Sequence, residues 1–159
     1  MQLAQLNIAT AKAALDSDVM REFVDNLAPI NALAEASPGF IWRLQDEQGD
    51  ATQIKAFDDE HTIVNLSVWH SADTLKQFVF KSLHSEFLSR KKQWFHPIAE
   101  ASYVLWWVAD NHQPTIQEAV ARLMHLREFG ETPHAFSFKR LFSDTADTAV
   151  DTDTLSARQ

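Results

Sequence analysis

A strand–helix–strand order occurs twice along this 159-residue chain, and this repetition limits its folds more than any other feature. The first unit begins at Leu3–Ala9, where apolar and polar residues alternate as in a half-buried strand. The second begins at Thr62–Trp69, which is rich in β-branched and aromatic residues. Two such units predict an α+β fold of the ferredoxin-like type, in which helices cover one face of an antiparallel sheet.

Each predicted helix has an apolar stripe at steps of three and four residues. The first stripe consists of Val19, Phe23, Leu27, Ile30 and Ala34, and the second of Leu75, Phe78, Val79 and Leu83. Asp16 or Ser17 can cap the first helix. Pro29 removes a backbone donor inside it, which predicts a kink or two consecutive helices. Ser71 can cap the second helix, but Thr74 stands where a capping box has Glu or Gln, so we expect an incomplete box.

Two further segments complete the repeated units as strands. Phe40–Leu44 follows the first helix after a Ser-Pro-Gly turn, and Ser102–Val108 follows the second helix with several large apolar residues. Gln53–Phe57 is a weaker candidate for an additional short strand. The predicted sheet therefore has one face covered by the two helices, and its other face needs a separate cover.

The chain continues beyond the second unit. Pro114 is expected as the first residue of an extra amphipathic helix, and Gly130 as its stop. Ala135–Phe142 alternates and is expected to be an extra edge strand. Residues 143–159 are rich in Asp and Thr and poor in core-forming side chains, which predicts an acidic disordered tail. We therefore predict one domain over residues 1–142.

Composition excludes several classes of protein. No apolar run approaches the roughly 20 residues that span a bilayer, and the N-terminus lacks the pattern of a signal peptide. The chain contains no cysteine, hence no disulfide or thiolate site. Three glycines are too few to build the loops of serine hydrolases, P-loop proteins or dinucleotide-binding proteins. We expect a cytoplasmic protein with no membrane partner.

The net charge of −8 argues against a nucleic-acid partner, because phosphate contacts need a cationic surface. Arg90, Lys91 and Lys92 form a local cationic cluster. They lie near a predicted helix C-terminus, where cations offset the helix dipole. The alternative role for this cluster is contact with a ligand carboxylate.

Several separated blocks resemble, in order, the bacterial domain-of-unknown-function family 3291. These blocks are NIATAK, NALAEASPGFIWRLQDE, VNLSVW, FKSLHSEFLSRKKQWF, YVLWWV and HQPTIQEAVARLMHLREFGETPHAFSFKRLF, and the resemblance covers about residues 3 to 142. The family is placed in the dimeric α/β-barrel superfamily, beside antibiotic-biosynthesis-type monooxygenases. The resemblance implies a homodimer in which two ferredoxin-like sheets pack face to face, and this would supply the missing cover.

The resemblance also implies a pocket between the sheet and the helices of each protomer. Members of the superfamily include cofactor-free oxygenases, haem-binding and haem-degrading enzymes, and isomerases. No single reaction, and no catalytic residue, follows from membership of the family.

Polar residues in the middle of strands mark a candidate site. Asn7, Asn65 and Ser67 interrupt apolar strands, as does Arg43. A period of two puts Ile63, Asn65, Ser67 and Trp69 on one face, and Val64, Leu66 and Val68 on the other. The second set suits helix packing, whereas the first suits a pocket or a dimer-facing barrel wall. The alternative is a satisfied polar pair within a dimer interface.

Aromatic residues are expected to complete this pocket. Trp42, Trp69 and Trp94 would shape an apolar cage, with Phe87 and Trp106 as further binding residues. Trp42 and Trp106 are expected on the opposite sheet face from Arg43 and Trp107, the residues that follow them. The sequence does not fix which face that is. Such a pocket would bind a small apolar or aromatic, quinone-like molecule.

His84 is the candidate catalytic residue. A histidine on the second helix could act as a general acid or base, or as an axial haem ligand. The alternative is a histidine at a break in the helix that bonds only to backbone. The chain has seven histidines, and no two have the i, i+4 spacing of a helical zinc pair, so we predict no metal site.

Three functions stay open at this point. The first is a small-molecule binding protein that catalyses cofactor-independent oxygenation or isomerisation, with His84 as base and with Asn65 and Ser67 bonding a substrate oxygen. The second is a non-catalytic dimeric binding or scaffold module. The third is a haem-binding protein that uses His84. The leading expectation includes no cofactor.

Overall fold

The computed structural model describes residues 1–45, 57, 59, 61–83 and 90–144. Within these residues an antiparallel sheet of five strands forms the centre of the fold. The strands are β1 (Gln2–Ala11), β2 (Phe40–Arg43), β3 (Thr62–Trp69), β4 (Phe95–His96) and β5 (Tyr103–Val108). Their order is β2-β3-β1, and both β4 and β5 pair with the free edge of β1. This order confirms the predicted ferredoxin-like α+β fold.

Four α-helices are described. They are α1 (Arg21–Ala36), α2 (Ala72–Leu83), α3 (Lys91–Trp94) and α4 (Ile116–Phe129), and a short 3-10 turn at Asp18–Met20 precedes α1. Pro29 lies inside α1, which is one helix from Arg21 to Ala36, so the alternative of two consecutive helices is wrong. Ser17 begins the 3-10 turn without a side-chain capping bond.

The start of α2 corrects the expectation of an incomplete capping box. The Thr74 N–H donates to Ser71 Oγ at 3.2 Å, and the Ser71 N–H donates to Thr74 Oγ1 at 3.1 Å. Thr74 therefore does what Glu or Gln does in the usual box. Gly39 lies against this cap with φ of +83°, and a Cβ there would collide with the Thr74 side chain. The turn before β2 and the start of α2 thus fit together only around a glycine.

The two faces of the sheet have different covers. The face with Val64, Leu66 and Val68 packs with the inward side of α4, whose Leu123 is fully buried. The opposite face, which carries Ile63 and Trp69, packs with α1 and α2. Helix α4 of the same chain thus packs on the face for which the sequence analysis expected a separate cover, and face-to-face packing with a partner's sheet stays a prediction. The homodimer itself stays a prediction.

The segment after β5 differs from the sequence expectations in two details. The N-cap of α4 is Thr115, whose side chain accepts the Glu118 N–H at 3.1 Å, so Pro114 precedes the helix instead of opening it. Gly130 ends the helix at φ of 76°, as predicted.

The predicted edge strand Ala135–Phe142 is reduced to a single bridge to β5. Phe136 and Leu105 exchange two backbone hydrogen bonds, of 2.7 and 2.9 Å. Turns closed by Thr132–Ala135 and Ser137–Arg140 lie on either side and end the pairing.

Several predictions fall wholly or largely outside the described residues. Of the short strand Gln53–Phe57 only Phe57 is described, and of the tail 143–159 only the first two residues are. The domain boundary at residue 142 and the disordered tail therefore stay predictions. Among the described residues, no helix has both the length and the apolar character needed to cross a membrane.

Candidate functional site

A cleft of about 120 Å³ lies between α1 and the sheet face that carries β1 and β3. Strand residues form its floor and the inward side of α1 forms one wall, while the end of β2 contributes the rest. The residues that line it are Asn7, Ala9, Phe23, Leu27, Asn31, Arg43, Leu44, Ile63, Val64 and Asn65. The cleft is thus at the position, between sheet and helices, that the sequence resemblance implied.

Two asparagines lie side by side on the floor of the cleft. Asn7 of β1 and Asn65 of β3 are directly paired in the antiparallel register, so their side chains are cross-strand neighbours. Both are exposed, although residues on either side of them along the strands are buried. Exposed amides in the middle of a sheet are available to a ligand, because neighbouring side chains do not cover them.

A buried hydrogen-bond network holds one of these asparagines. Gln5, only 8% exposed, donates from Nε2 to Asn65 Oδ1 and to Ser67 Oγ, each at 2.7 Å. Ser67 Oγ also accepts from the Trp69 indole Nε1 at 2.9 Å. The Asn65 oxygen therefore accepts from Gln5, and its amide NH₂ is the end that has no bond within the described contacts.

Arg43 brings a positive charge to the edge of the cleft. Its Nε donates to Glu35 Oε1 of α1 at 2.8 Å, and its side chain is only 13% exposed. Glu35 is 48% exposed, so the pair lies at the boundary between cleft and solvent. In the described structure Glu35 is the one residue bonded to this guanidinium, which has further N–H groups to offer a ligand.

The lining of the cleft combines hydrogen-bond donors with apolar walls. Phe23, Leu27 and Ile63 supply apolar surface, and three asparagines with Arg43 supply the polar groups. Among the described residues, the lining includes no carboxylate and no imidazole, so this part of the lining holds no general base of ordinary strength. These residues can bind and polarise a ligand oxygen. A proton released by the ligand would have to be accepted by a group outside this lining or by solvent.

The structure brings together two of the predicted binding residues, Asn7 and Asn65, in the wall of one cleft. Ser67 is on the same sheet face but is 6% exposed and does not line the cleft, so its predicted contact with a substrate oxygen is not formed there. Trp69 is 1% exposed, with its ring stacked on Phe78 at 5.1 Å. Both residues are buried further along β3 and do not line the cleft.

The predicted aromatic cage is not formed, because its three tryptophans belong to three separate hydrophobic clusters. Trp42 packs with the cluster under α4, Trp69 lies under α2, and Trp94 packs near Phe23 at the start of α1. Trp106 is also on the α4 face, fully buried, and its indole donates to Glu118 at 2.9 Å. Alternation along β2 and β5 places Trp42 and Trp106 on the opposite face of the sheet from Asn7 and Asn65.

Two predicted site residues, His84 and Phe87, lie outside the described residues. Their assignments as base and binding residue stay predictions. Within the described ranges, no three His, Asp or Glu side chains come together in a group that could hold a metal ion.

Sequence reasoning missed Asn31, which lines the cleft, and Gln5, which bonds to the lining residue Asn65. Gln5 continues the alternation that includes Asn7, and a polar residue on a strand face that is otherwise packed was a usable signal. Asn31 follows Leu27 by four residues on the inward stripe of α1, so the period of the helix could also have revealed it. The partnership of Gln5 with Asn65 depends on strand register, which the sequence did not give.

The structure resembles solved proteins at low sequence identity. SnoaB, a cofactor-independent oxygenase from Streptomyces nogalater, is 17% identical with a TM-score of 0.45, covering 72% of this chain and 98% of that chain. A protein from Chloroflexus aurantiacus J-10-fl, described provisionally as an antibiotic biosynthesis monooxygenase, is 14% identical with a TM-score of 0.44, covering 71% and 98%.

No curated protein matches the sequence significantly. The model of the family described as Domain of unknown function (DUF3291) matches residues 2–152, nearly the whole chain. This match confirms the family that the sequence blocks resembled. The chain belongs to the DUF3291 family.

Proposed function

We propose that the protein binds a small molecule in the α1 cleft, and that this molecule has one ring or a short apolar body with an acceptor oxygen. The observation that carries the proposal is the convergence of donor groups without described partners on one apolar cleft. The amides of Asn7 and Asn31, the Asn65 NH₂ and the remaining N–H groups of Arg43 supply these donors. An oxygen placed among them gains several hydrogen bonds in a setting that partly excludes water.

The size of the cleft selects the ligand further. A cavity of about 150 Å³ holds one benzene molecule, and this cleft of about 120 Å³ is slightly smaller. We therefore expect a single ring, or the end of a longer molecule, to enter. Haem does not fit the described cleft, because a tetrapyrrole is much larger and the lining residues include no His, Cys, Met or Tyr.

The chemistry that such donors favour is formation of an enolate or phenolate. When a C–H bond next to a carbonyl breaks, its electron pair moves to the oxygen, where N–H donors and Arg43 stabilise the negative charge. The proton passes to a base, for which His84 is the candidate, or to solvent. Returning the proton to another carbon gives an isomerisation. Addition of O₂ gives an oxygenation in which a CH₂ becomes C=O and one water is released per O₂.

Binding is tested by titrating the protein with 4-fluoroacetophenone and with fluorobenzene, followed by ¹⁹F NMR. The two probes share the ring, but only the first has an acceptor oxygen. We expect the ketone to bind about tenfold more tightly, since hydrogen bonds to uncharged and charged donors contribute about 1–3 kcal/mol. Asn65→Leu should remove this preference, and the control Asn26→Leu, outside the cleft on α1, should keep it.

Equal affinity for the two probes, or a preference that survives Asn65→Leu, would contradict the proposal. Catalysis is tested separately by following exchange of the ketone's methyl protons in D₂O. Faster exchange with the protein than with the Asn65→Leu variant supports enolate formation. Binding without faster exchange would favour the non-catalytic binding module.

A further inference from the structure

We propose that Gln5 is a positioning residue that sets the hydrogen-bonding sense of Asn65, so that this wall of the cleft favours oxygen acceptors over N–H donors. The inference rests on the proposed function, since it concerns which ligands the same cleft selects. Gln5 does not line the cleft. It acts through Asn65, whose side-chain oxygen accepts its hydrogen bond.

The amide of Gln5 is held in one orientation by a backbone carbonyl group, whose own orientation is fixed by the strand. Gln5 Nε2 lies 3.4 Å from the backbone carbonyl oxygen of Asn65 as well as 2.7 Å from its side-chain Oδ1. A carbonyl oxygen only accepts hydrogen bonds. If the Gln5 amide were reversed, its oxygen would face this carbonyl and repel it. The backbone of β3 therefore fixes the NH₂ of Gln5 toward Asn65.

The neighbour on the other side of Gln5 is compatible with this orientation. Ser67 Oγ accepts from Gln5 Nε2 at 2.7 Å and from the Trp69 indole at 2.9 Å. The indole is a donor only and is almost fully buried, so it keeps one Ser67 lone pair occupied. These contacts connect the cleft to a rigid, buried part of the core.

The orientation of Gln5 then decides what Asn65 presents. Because the Asn65 oxygen accepts from Gln5, its NH₂ is the part left for a ligand. A ligand N–H placed against it would meet a second donor and leave both groups unpaired, whereas a ligand oxygen would be bonded. The discrimination that Asn65 makes between acceptor and donor ligands is thus set by a side chain that does not line the cleft.

The test compares 4-fluoroacetophenone, an acceptor, with 4-fluoroaniline, a donor, by ¹⁹F NMR titration. The protein should prefer the ketone by about tenfold, the equivalent of one hydrogen bond of about 1.4 kcal/mol. In Gln5→Glu an ionised carboxylate accepts only, so Asn65 must turn its NH₂ inward and present its oxygen to the ligand. The preference should then invert toward the aniline.

The inversion should depend on pH, which a merely structural effect would not produce. Burial raises the pKa of the introduced carboxyl group. Below that pKa its proton can again be donated to Asn65, so the ketone preference should return at about pH 5 and invert at about pH 9. Gln117→Glu, which adds the same charge at an exposed position of α4, should keep the original preference at both pH values.

A second variant covers the case in which Gln5→Glu does not fold. Gln5→Met keeps the length of the side chain without hydrogen bonds, so Asn65 is free to turn either way and the preference should fall below about threefold. In an Asn65→Ala background Gln5→Met should change the preference less than twofold, as expected for a residue that acts through Asn65.

The outcomes separate the two proposals. If the protein binds neither probe in the cleft, both the proposed function and the role of Gln5 are overturned. If the protein prefers the ketone through Asn65, but Gln5→Glu and Gln5→Met keep that preference, the role of Gln5 alone is overturned. Inversion with Gln5→Glu, or collapse with Gln5→Met, supports it.

Discussion

Replacing Leu123 by alanine tests whether α4 covers the sheet in solution. Leu123 is fully buried on the inward side of α4, in the cluster that includes Leu66 and Val68 of β3. The strands beneath it are fixed by backbone hydrogen bonds, so the space left by the truncation cannot easily close. Leu→Ala at such sites lowers the free energy of unfolding by about 2–5 kcal/mol. We expect about 3 kcal/mol, and a Tm lower by about 10 °C.

The assay is urea unfolding followed by tryptophan fluorescence and circular dichroism, with Met124→Ala as the matched control. Met124 is the next residue of α4 but is 41% exposed, so its truncation should change stability by less than about 1 kcal/mol. Equal effects of the two substitutions would refute the reasoning. They would mean that α4 does not pack on the sheet, which would leave that face open to a partner subunit. Light scattering on the same samples would then report whether a homodimer forms.

Three further substitutions test local features of the fold by the same unfolding assay. Gly39→Ala should lower the free energy of unfolding by at least about 1–2 kcal/mol, because of the positive φ and the collision with Thr74; an effect near zero would mean that the turn adopts another backbone. Thr115→Ala should lower it by about 1 kcal/mol through loss of the N-cap of α4, and Thr115→Ser should recover most of this loss. Ser67→Ala should lower it by about 1–3 kcal/mol, since the buried Trp69 indole loses its acceptor; an unchanged stability would show that this bond is not made.

The fold was predictable from sequence because its signals are local. The alternation in β1 and β3 and the stripes of α1 and α2 each depend on a few neighbouring residues, and all four elements appear. The first member of the α1 stripe, Val19, is an exception, because it precedes the helix and is exposed. The prediction for Ser71 and Thr74 also used a local signal, but it was wrong. Their spacing was recognised, but the shorter hydroxyl of Thr74 was not expected to complete the cap.

The candidate site was only partly predictable because it depends on contacts between distant segments. Asn7 and Asn65 were identified as polar interruptions of strands, but their pairing follows from the register between β1 and β3. The aromatic cage failed for a related reason. The apolar character of a large side chain does not show which face of a sheet it occupies. Here α4 provides a second apolar environment, and Trp42 and Trp106 pack in it.

The paired asparagines have a consequence for how this chain can change. Asn is among the residues that strands disfavour, and the scale of that preference is about 1 kcal/mol. A Thr or Val at Asn7 or at Asn65 would fit the pleated surface better and strengthen the cross-strand contact. Selection for stability alone would thus remove the two amides. Variants selected only for thermal resistance should accumulate substitutions at these two positions and lose ligand binding as they do so.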